Sequence, residues 1–157
     1  MSIHDLSSAS SASELRPLRR LRRCVAGMLL LSLSTLASAQ SIWVVAHQDA
    51  PAADLSRRQV ADLFLGRLQG LPLTPFDQAE AGLRESFYRA VAGLYPHSVR
   101  AYWAKQVFTG RGRPPAMLSA SETERKLREN RACVTYVPAG SLPAGSRVLM
   151  TLNLEEK

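Results

Sequence analysis

Two amphipathic segments closed by glycine constrain this chain most: Leu55–Gly66 (LSRRQVADLFLG) and Ala101–Pro115 (AYWAKQVFTGRGRPP). The first opens on a capping box, Ser56 with Gln59 three residues on, in which each side chain satisfies a backbone N–H that a helix start leaves free. Val60, Leu63 and Phe64 recur at helical spacing as its apolar side, and Gly66 stands where a helix takes a left-handed stop. The second segment continues a face of Val99, Trp103 and Val107, then runs into a loop rich in glycine, arginine and proline. Neither helix is long enough to be stable alone, so each needs a partner layer for its apolar side.

Short β-rich runs supply that layer. Ile42–Ala46 (IWVVA) reads as the first strand, and Leu73–Phe76 as a second that ends at Asp77-Gln78. Helix one is expected from Ser56 to Leu65. A second helix is expected over Glu80–Gly93, with Leu83, Phe87, Val91 and Leu94 in period, broken by Tyr95-Pro96. A third follows over Ser98–Phe108, and Thr109–Pro115 reads as loop. Ser121 with Glu124 suggests another capping box, for a helix to Asn130. Leu127 is its only large apolar residue, so this helix is expected on the surface. Cys133–Val137 and Arg147–Leu152 complete the strands. Strands alternating with helices imply an α/β fold. The last two strands are joined by a stretch too short for a helical crossover, so the central sheet, flanked by helices, is expected to be mixed.

Residues 1–39 are set apart from this pattern. Arg16, Arg19, Arg20, Arg22 and Arg23 precede an uncharged run from Cys24 to Ala39 that ends in Ala37-Ser38-Ala39. That is the layout of an export signal, with cleavage expected before Gln40 and a periplasmic or secreted product. An uncleaved anchor is the competing reading. The run falls short of the roughly 20 apolar residues of a span, and serines interrupt it, so no stable membrane insertion is expected after cleavage. Residues 40–157 then form one domain.

Removing the leader changes the charge. The chain carries 20 basic and 13 acidic residues, of which five and two respectively lie in the leader, leaving 15 against 11, or +4. The strongly basic whole-chain balance therefore gives no ground for a nucleic-acid partner. A mild positive charge suits a small anion without selecting one. Cys133 is left as a single cysteine in an apolar run, and reads as a packed thiol rather than a nucleophile.

In order and spacing these segments resemble the phosphate-binding subgroup of type II periplasmic binding proteins, and more closely small stand-alone proteins of the phosphate ABC transporter substrate-binding-like kind. The resemblance is carried by Asp62-Leu63-Phe64-Leu65-Gly66, the helix opening after Asp77, Phe87-Tyr88, Tyr102-Trp103, Phe108-Thr109-Gly110 and the strand with Tyr136. It implies a single lobe of the two-lobed fold, with an anion loop between the second strand and the following helix. Such a loop works through backbone N–H groups at the positive end of a helix, assisted by hydroxyls and an arginine. On this chain the ligand-binding positions so implied are Gln78, Ala81, Gly82, Leu83 and Arg84. The family pattern is arginine, then serine-glycine, then threonine or serine. Here Asp77 stands near the arginine, Ala81 near the serine, and Glu80 brings negative charge to the anion position. The resemblance thus supports the fold more than tight phosphate binding.

Two functions remain. One is a non-catalytic solute-binding domain for phosphate or another small oxyanion, in transport or sensing. The other is a protein-interaction module of the cell envelope that has lost its ligand. Arg84 is either an anion contact or a surface arginine paired with Glu80. Arg111 and Arg113, either side of Gly112, are either an anion clamp or solvent-facing charges. Trp103 is expected in the core; Tyr102 lies off that face. His47 follows a strand end, but neither it nor His97 has a second ligand at metal spacing, so no metal and no cofactor is expected. No nucleophile elbow, phosphate-binding Gly-Lys-Ser/Thr loop or paired carboxylates stand in the sequence, so an enzyme is not expected.

Overall fold

Alternation along the strands decides how the layers stack. The computed structural model describes residues 41–51, 54–68 and 70–154. The expectations about the leader and its cleavage lie outside those residues. Strand β1 (Ser41–His47) sends Ile42, Val44 and Ala46 into one apolar cluster and Trp43 and Val45 into another. Successive side chains of a strand point to opposite faces, so a run with every second position apolar on both sides must be covered twice. Strand β4 (Cys133–Pro138) does the same, with Val134 and Tyr136 on the first side and Cys133 and Val137 on the second.

The remaining elements in chain order are α1 (Arg57–Phe64), β2 (Thr74–Gln78), α2 (Ala81–Ala92), α3 (Pro96–Phe108), β3 (Ala116–Leu118), α4 (Ala120–Glu129) and β5 (Ser146–Asn153). The five strands lie in the order β3-β2-β4-β1-β5. β2 is parallel to both β3 and β4, whereas β1 is antiparallel to β4 and β5. The sheet is therefore mixed, as expected. The register of β5 slips beside Val44/Val45, where Val44 faces Met150 and Val45 faces Val148. The extra residue, Leu149, lets Leu149, Met150 and Leu152 all join the first cluster.

Helices α1 and α2 cover that first face. Phe64, Phe87 and Tyr136 meet there, with the Phe87 and Tyr136 rings stacked at 3.8 Å and Phe64 edge-on to Phe87 at 4.7 Å. Gly93 ends α2 in the left-handed conformation. Helix α4 covers the second face through Leu127, buried beside Val45, Cys133 and Val137. Residues 39–157 make up one compact unit by themselves.

Three expectations need correction. Pro96 does not precede the third helix by two residues but opens it, at the position where its missing N–H is not needed. The last capping box is Ser119 with Glu122, not Ser121 with Glu124, because the short strand β3, unforeseen, delivers the chain to a helix that starts two residues sooner. Helix α4 lies at the surface as expected, yet its inner side is fully buried: Leu127 and Thr123 suffice to seat it. Val107 does not share the buried face of α3. Only Trp103 is buried there, with Val99 half-buried and Val107 53% exposed.

Candidate functional site

The parallel strands β2 and β3 end side by side, with Gln78 opposite Leu118, and each hands the chain to a helix. The N-termini of α2 and α4 therefore open at one edge of the sheet, where backbone N–H groups of both helices face outward. Open α/β sheets place ligands at this edge, and helix starts favour anions.

At α2 the anion position is already filled by the chain itself. Glu80 is the N-cap, and its carboxylate accepts the N–H of Gly82 at 2.7 Å and that of Leu83 at 2.5 Å. These are two of the donors that an oxyanion would use. A Cβ at Gly82 would stand 3.1 Å from the Glu80 carboxylate oxygen, so a larger residue there would push that side chain aside by a few tenths of an ångström. At α4 the capping box does the same work. Glu122 accepts the N–H and the hydroxyl of Ser119 at 2.8 and 2.7 Å, which holds its carboxyl below the usual range.

Of the other implied ligand positions, Ala81 is exposed at the helix start. Gln78 points inward. Its amide donates to the hydroxyls of Thr123 and Thr135 at 3.1 and 2.9 Å, bridging β2, β4 and α4 beneath the edge. Arg84 forms no ion pair with Glu80. Its guanidinium donates to the Gln78 carbonyl at 2.8 Å and touches the Met117 sulfur at 3.1 Å, closing the end of β2 over β3.

Beneath the loop lies a buried carboxylate, that of Asp77, whose tyrosine partners lie far from it in sequence. Asp77 accepts hydrogen bonds from the hydroxyls of Tyr136 and Tyr88, the latter at 3.1 Å, and from the Gln78 N–H at 3.1 Å. Burial pushes its carboxyl above the ordinary aspartate value; the Tyr136, Gln78 and Tyr88 hydrogen bonds and nearby Arg84 oppose that rise without cancelling it. Both tyrosine hydroxyls are raised in turn, first by burial and then by the Asp77 charge. The carboxylate thus spends its lone pairs internally. The sequence signal for it was indirect: Phe87-Tyr88 and the Tyr136 strand were noted, but no spacing links positions 77, 88 and 136.

The remaining candidates separate from this edge. His47 is buried, its Nδ1 accepting the Asp49 N–H at 3.0 Å. His97 is exposed and stacks on Tyr95. Tyr102 donates its hydroxyl to the Leu65 carbonyl at 2.7 Å, and Trp103 lies against Gly66 with 8% of its surface exposed. Arg111 and Arg113 are exposed on the loop after α3. Burial pushes the Cys133 thiol up to about 11. Among the described residues no group of three or more His, Cys, Asp or Glu side chains converges as for a metal.

Comparison with solved structures bears on the whole arrangement. An ABC-type phosphate transport receptor from Vibrio cholerae superposes with a TM-score of 0.52 at 17% identity, covering 69% of this chain and 45% of its own. A protein described as a phosphate ABC transporter substrate-binding protein, with bound phosphate, from Clostridium perfringens matches with a TM-score of 0.52 at 13% identity, covering 69% and 44%. This chain has part of the phosphate-binding-protein fold. It spans less than half the length of those proteins, and at such identities the likeness concerns fold alone. No family model and no curated protein sequence matches the chain.

Proposed function

We propose that this chain is an exported, non-catalytic domain that uses the phosphate-binding fold as a protein-interaction module of the cell envelope. One observation carries the proposal: the Glu80 carboxylate sits on the N–H groups of Gly82 and Leu83. A free oxyanion would have to expel a tethered carboxylate from those donors and then lie beside its charge. A tethered group needs no second molecule to be ordered, so the internal anion has the entropic advantage. The C-terminal edge of β2 and β3 then becomes a face of capped helix ends, available for contact with another protein.

A second reading, binding of phosphate or a related oxyanion at Ala81, Gly82, Leu83 and Arg84 for uptake or sensing, draws support from the likeness to a protein with bound phosphate. Thermal melts of residues 40–157 with phosphate, sulfate and other oxyanions separate the two. A ligand at a hundredfold excess over its dissociation constant stabilises the fold by about 2.7 kcal/mol. The interaction module predicts no specific rise for any oxyanion, together with discrete protein adducts when photo-crosslinkers stand at Ala81 or Ser121 in cells. A saturable rise with one oxyanion, and no adducts, would transfer the case to solute binding.

A further inference from the structure

From Ser86 to Ser121 the chain has no Asp or Glu, yet it carries Arg89, Arg100, Lys105, Arg111 and Arg113. None of these five forms an ion pair among the described residues. The stretch ends α3 with Val107 and Phe108, and Phe108 is 92% exposed. A single exposed apolar residue needs no explanation. Here an exposed aromatic ring ends a helix in a stretch whose cations form no ion pair among the described residues.

Three of those cations lie within five residues of the ring. Lys105 lies three residues before Phe108, on the same helix face. After Phe108 the chain turns back along the helix: the Arg111 N–H bonds to the Gln106 carbonyl at 2.9 Å, and a Cβ on Gly112 would lie 3.8 Å from the Trp103 ring. Gly110 makes this turn at φ +66°, a conformation natural to glycine. Arg111 and Arg113 thus stand beside the helix end in a Gly/Pro-rich loop, and neither forms an ion pair among the described residues.

We propose that this tip docks on an anionic lipid surface, with the Phe108 ring at the headgroup level and Lys105, Arg111 and Arg113 on the lipid phosphates. Rings and cations combined in this way are what a peripheral contact requires: the ring leaves water, and the cations follow a negative surface potential. An acidic protein groove would select for arginines held in a fixed fork and a pocket shaped for the ring. Unbraced arginines between glycines suit a fluid surface instead. The contact is peripheral, since no described helix is long and apolar enough to cross a membrane. The proposal does not depend on how the Glu80 site is read.

The test is co-sedimentation of residues 40–157, which hold all nine described elements and both apolar clusters, with vesicles of phosphatidylcholine alone or mixed with phosphatidylglycerol. Binding is expected only with phosphatidylglycerol, and should weaken as salt is raised. The double variant Arg111→Gln, Arg113→Gln should partition about 30-fold less, the effect of two basic residues at such a surface. Phe108→Ser should bind less at an unchanged melting temperature, because its side chain supports nothing in the fold. The proposal is overturned if phosphatidylglycerol vesicles are not bound, if neutral vesicles bind equally, or if both variants bind as the parent does. Absence of vesicle binding would hand the tip to an acidic protein partner.

Discussion

Replacing Tyr136 by phenylalanine isolates the buried Asp77 network, because it removes one oxygen and keeps the ring that stacks on Phe87. That hydroxyl donates to Asp77 and lies 3.3 Å from the Gln78 N–H. A hydrogen bond to a charged group is worth about 1.5–3 kcal/mol, and the remaining donors, Tyr88 and the Gln78 N–H, cannot move to replace it. Tyr136→Phe should therefore cost about 1.5–3 kcal/mol at pH 7. The pH dependence gives a second handle. The folded pKa of Asp77 is raised, so the folded state holds the proton more firmly than the unfolded chain. The Asp77 contribution to stability is thus most favourable at low pH and declines as pH rises through the folded value. The Tyr136 bond is among the groups limiting that rise, so its loss lifts the pKa further and steepens the decline. Urea denaturation at pH 7 and near pH 3 should show a larger deficit for the variant at pH 7. An equal deficit at both pH values, or a deficit below about 0.5 kcal/mol at pH 7, the scale of a surface change, would refute the account of Asp77 as a charged core carboxylate held by Tyr136.

Trp103→Ala should cost about 3–5 kcal/mol by denaturant melts, since the ring fills the space between Gly66, Gly112 and Tyr102. Trp103→Phe should cost less than half as much, because it keeps part of that packing. A loss below about 1 kcal/mol in the alanine variant would mean that the ring packs on nothing essential. Gly66→Ala should destabilise by at least about 1 kcal/mol, since Gly66 sits at φ +66° and a Cβ there would meet the Trp103 ring at 3.2 Å; an unchanged melt would contradict that close approach. Cys133 should resist thiol reagents in the native protein and react on unfolding, because its thiol is buried and its pKa is raised to about 11; rapid labelling of the native state would contradict its burial.

How legible the fold was depended on whether a feature is local. Ser56 with Gln59, the Phe64 face of α1 and the Gly66 stop after it announce themselves within one or two helical turns, and the structure has them. The mixed sheet followed from the short link between β4 and β5. Strand β3 escaped because three residues after two prolines, Ala116–Leu118, have no period to read; pairing with β2 makes them a strand. Val107 and Trp103 share a helical stripe, yet only Trp103 is covered, because tertiary contact rather than the stripe decides burial in the last turn of α3. At the candidate site, Glu80 was visible as an ill-placed negative charge, but its role as the N-cap is a backbone fact. The meeting of Asp77 with Tyr88 and Tyr136 is set by tertiary packing across 11 and 59 positions, which no local pattern encodes. Gln78 was implied as a ligand position by resemblance; the structure shows its amide between Thr123 and Thr135 instead, a contact that requires α4 to be seated first.

The central claim is that the Glu80 carboxylate holds the anion position at the start of α2. Amide NMR of residues 40–157 under titration with phosphate tests it directly, comparing the parent with Glu80→Ser, whose neutral hydroxyl removes the charge and can accept from only one of the two N–H groups that the carboxylate holds. The account predicts that the Gly82 and Leu83 amides of the parent stay in place at tens of millimolar phosphate, beyond a binding energy of about 4 kcal/mol. In Glu80→Ser the same amides, with Ala81 and Arg84, should shift saturably as phosphate enters the vacated donors. Saturable shifts centred on Gly82 and Leu83 in the parent protein, unimproved by Glu80→Ser, would contradict it.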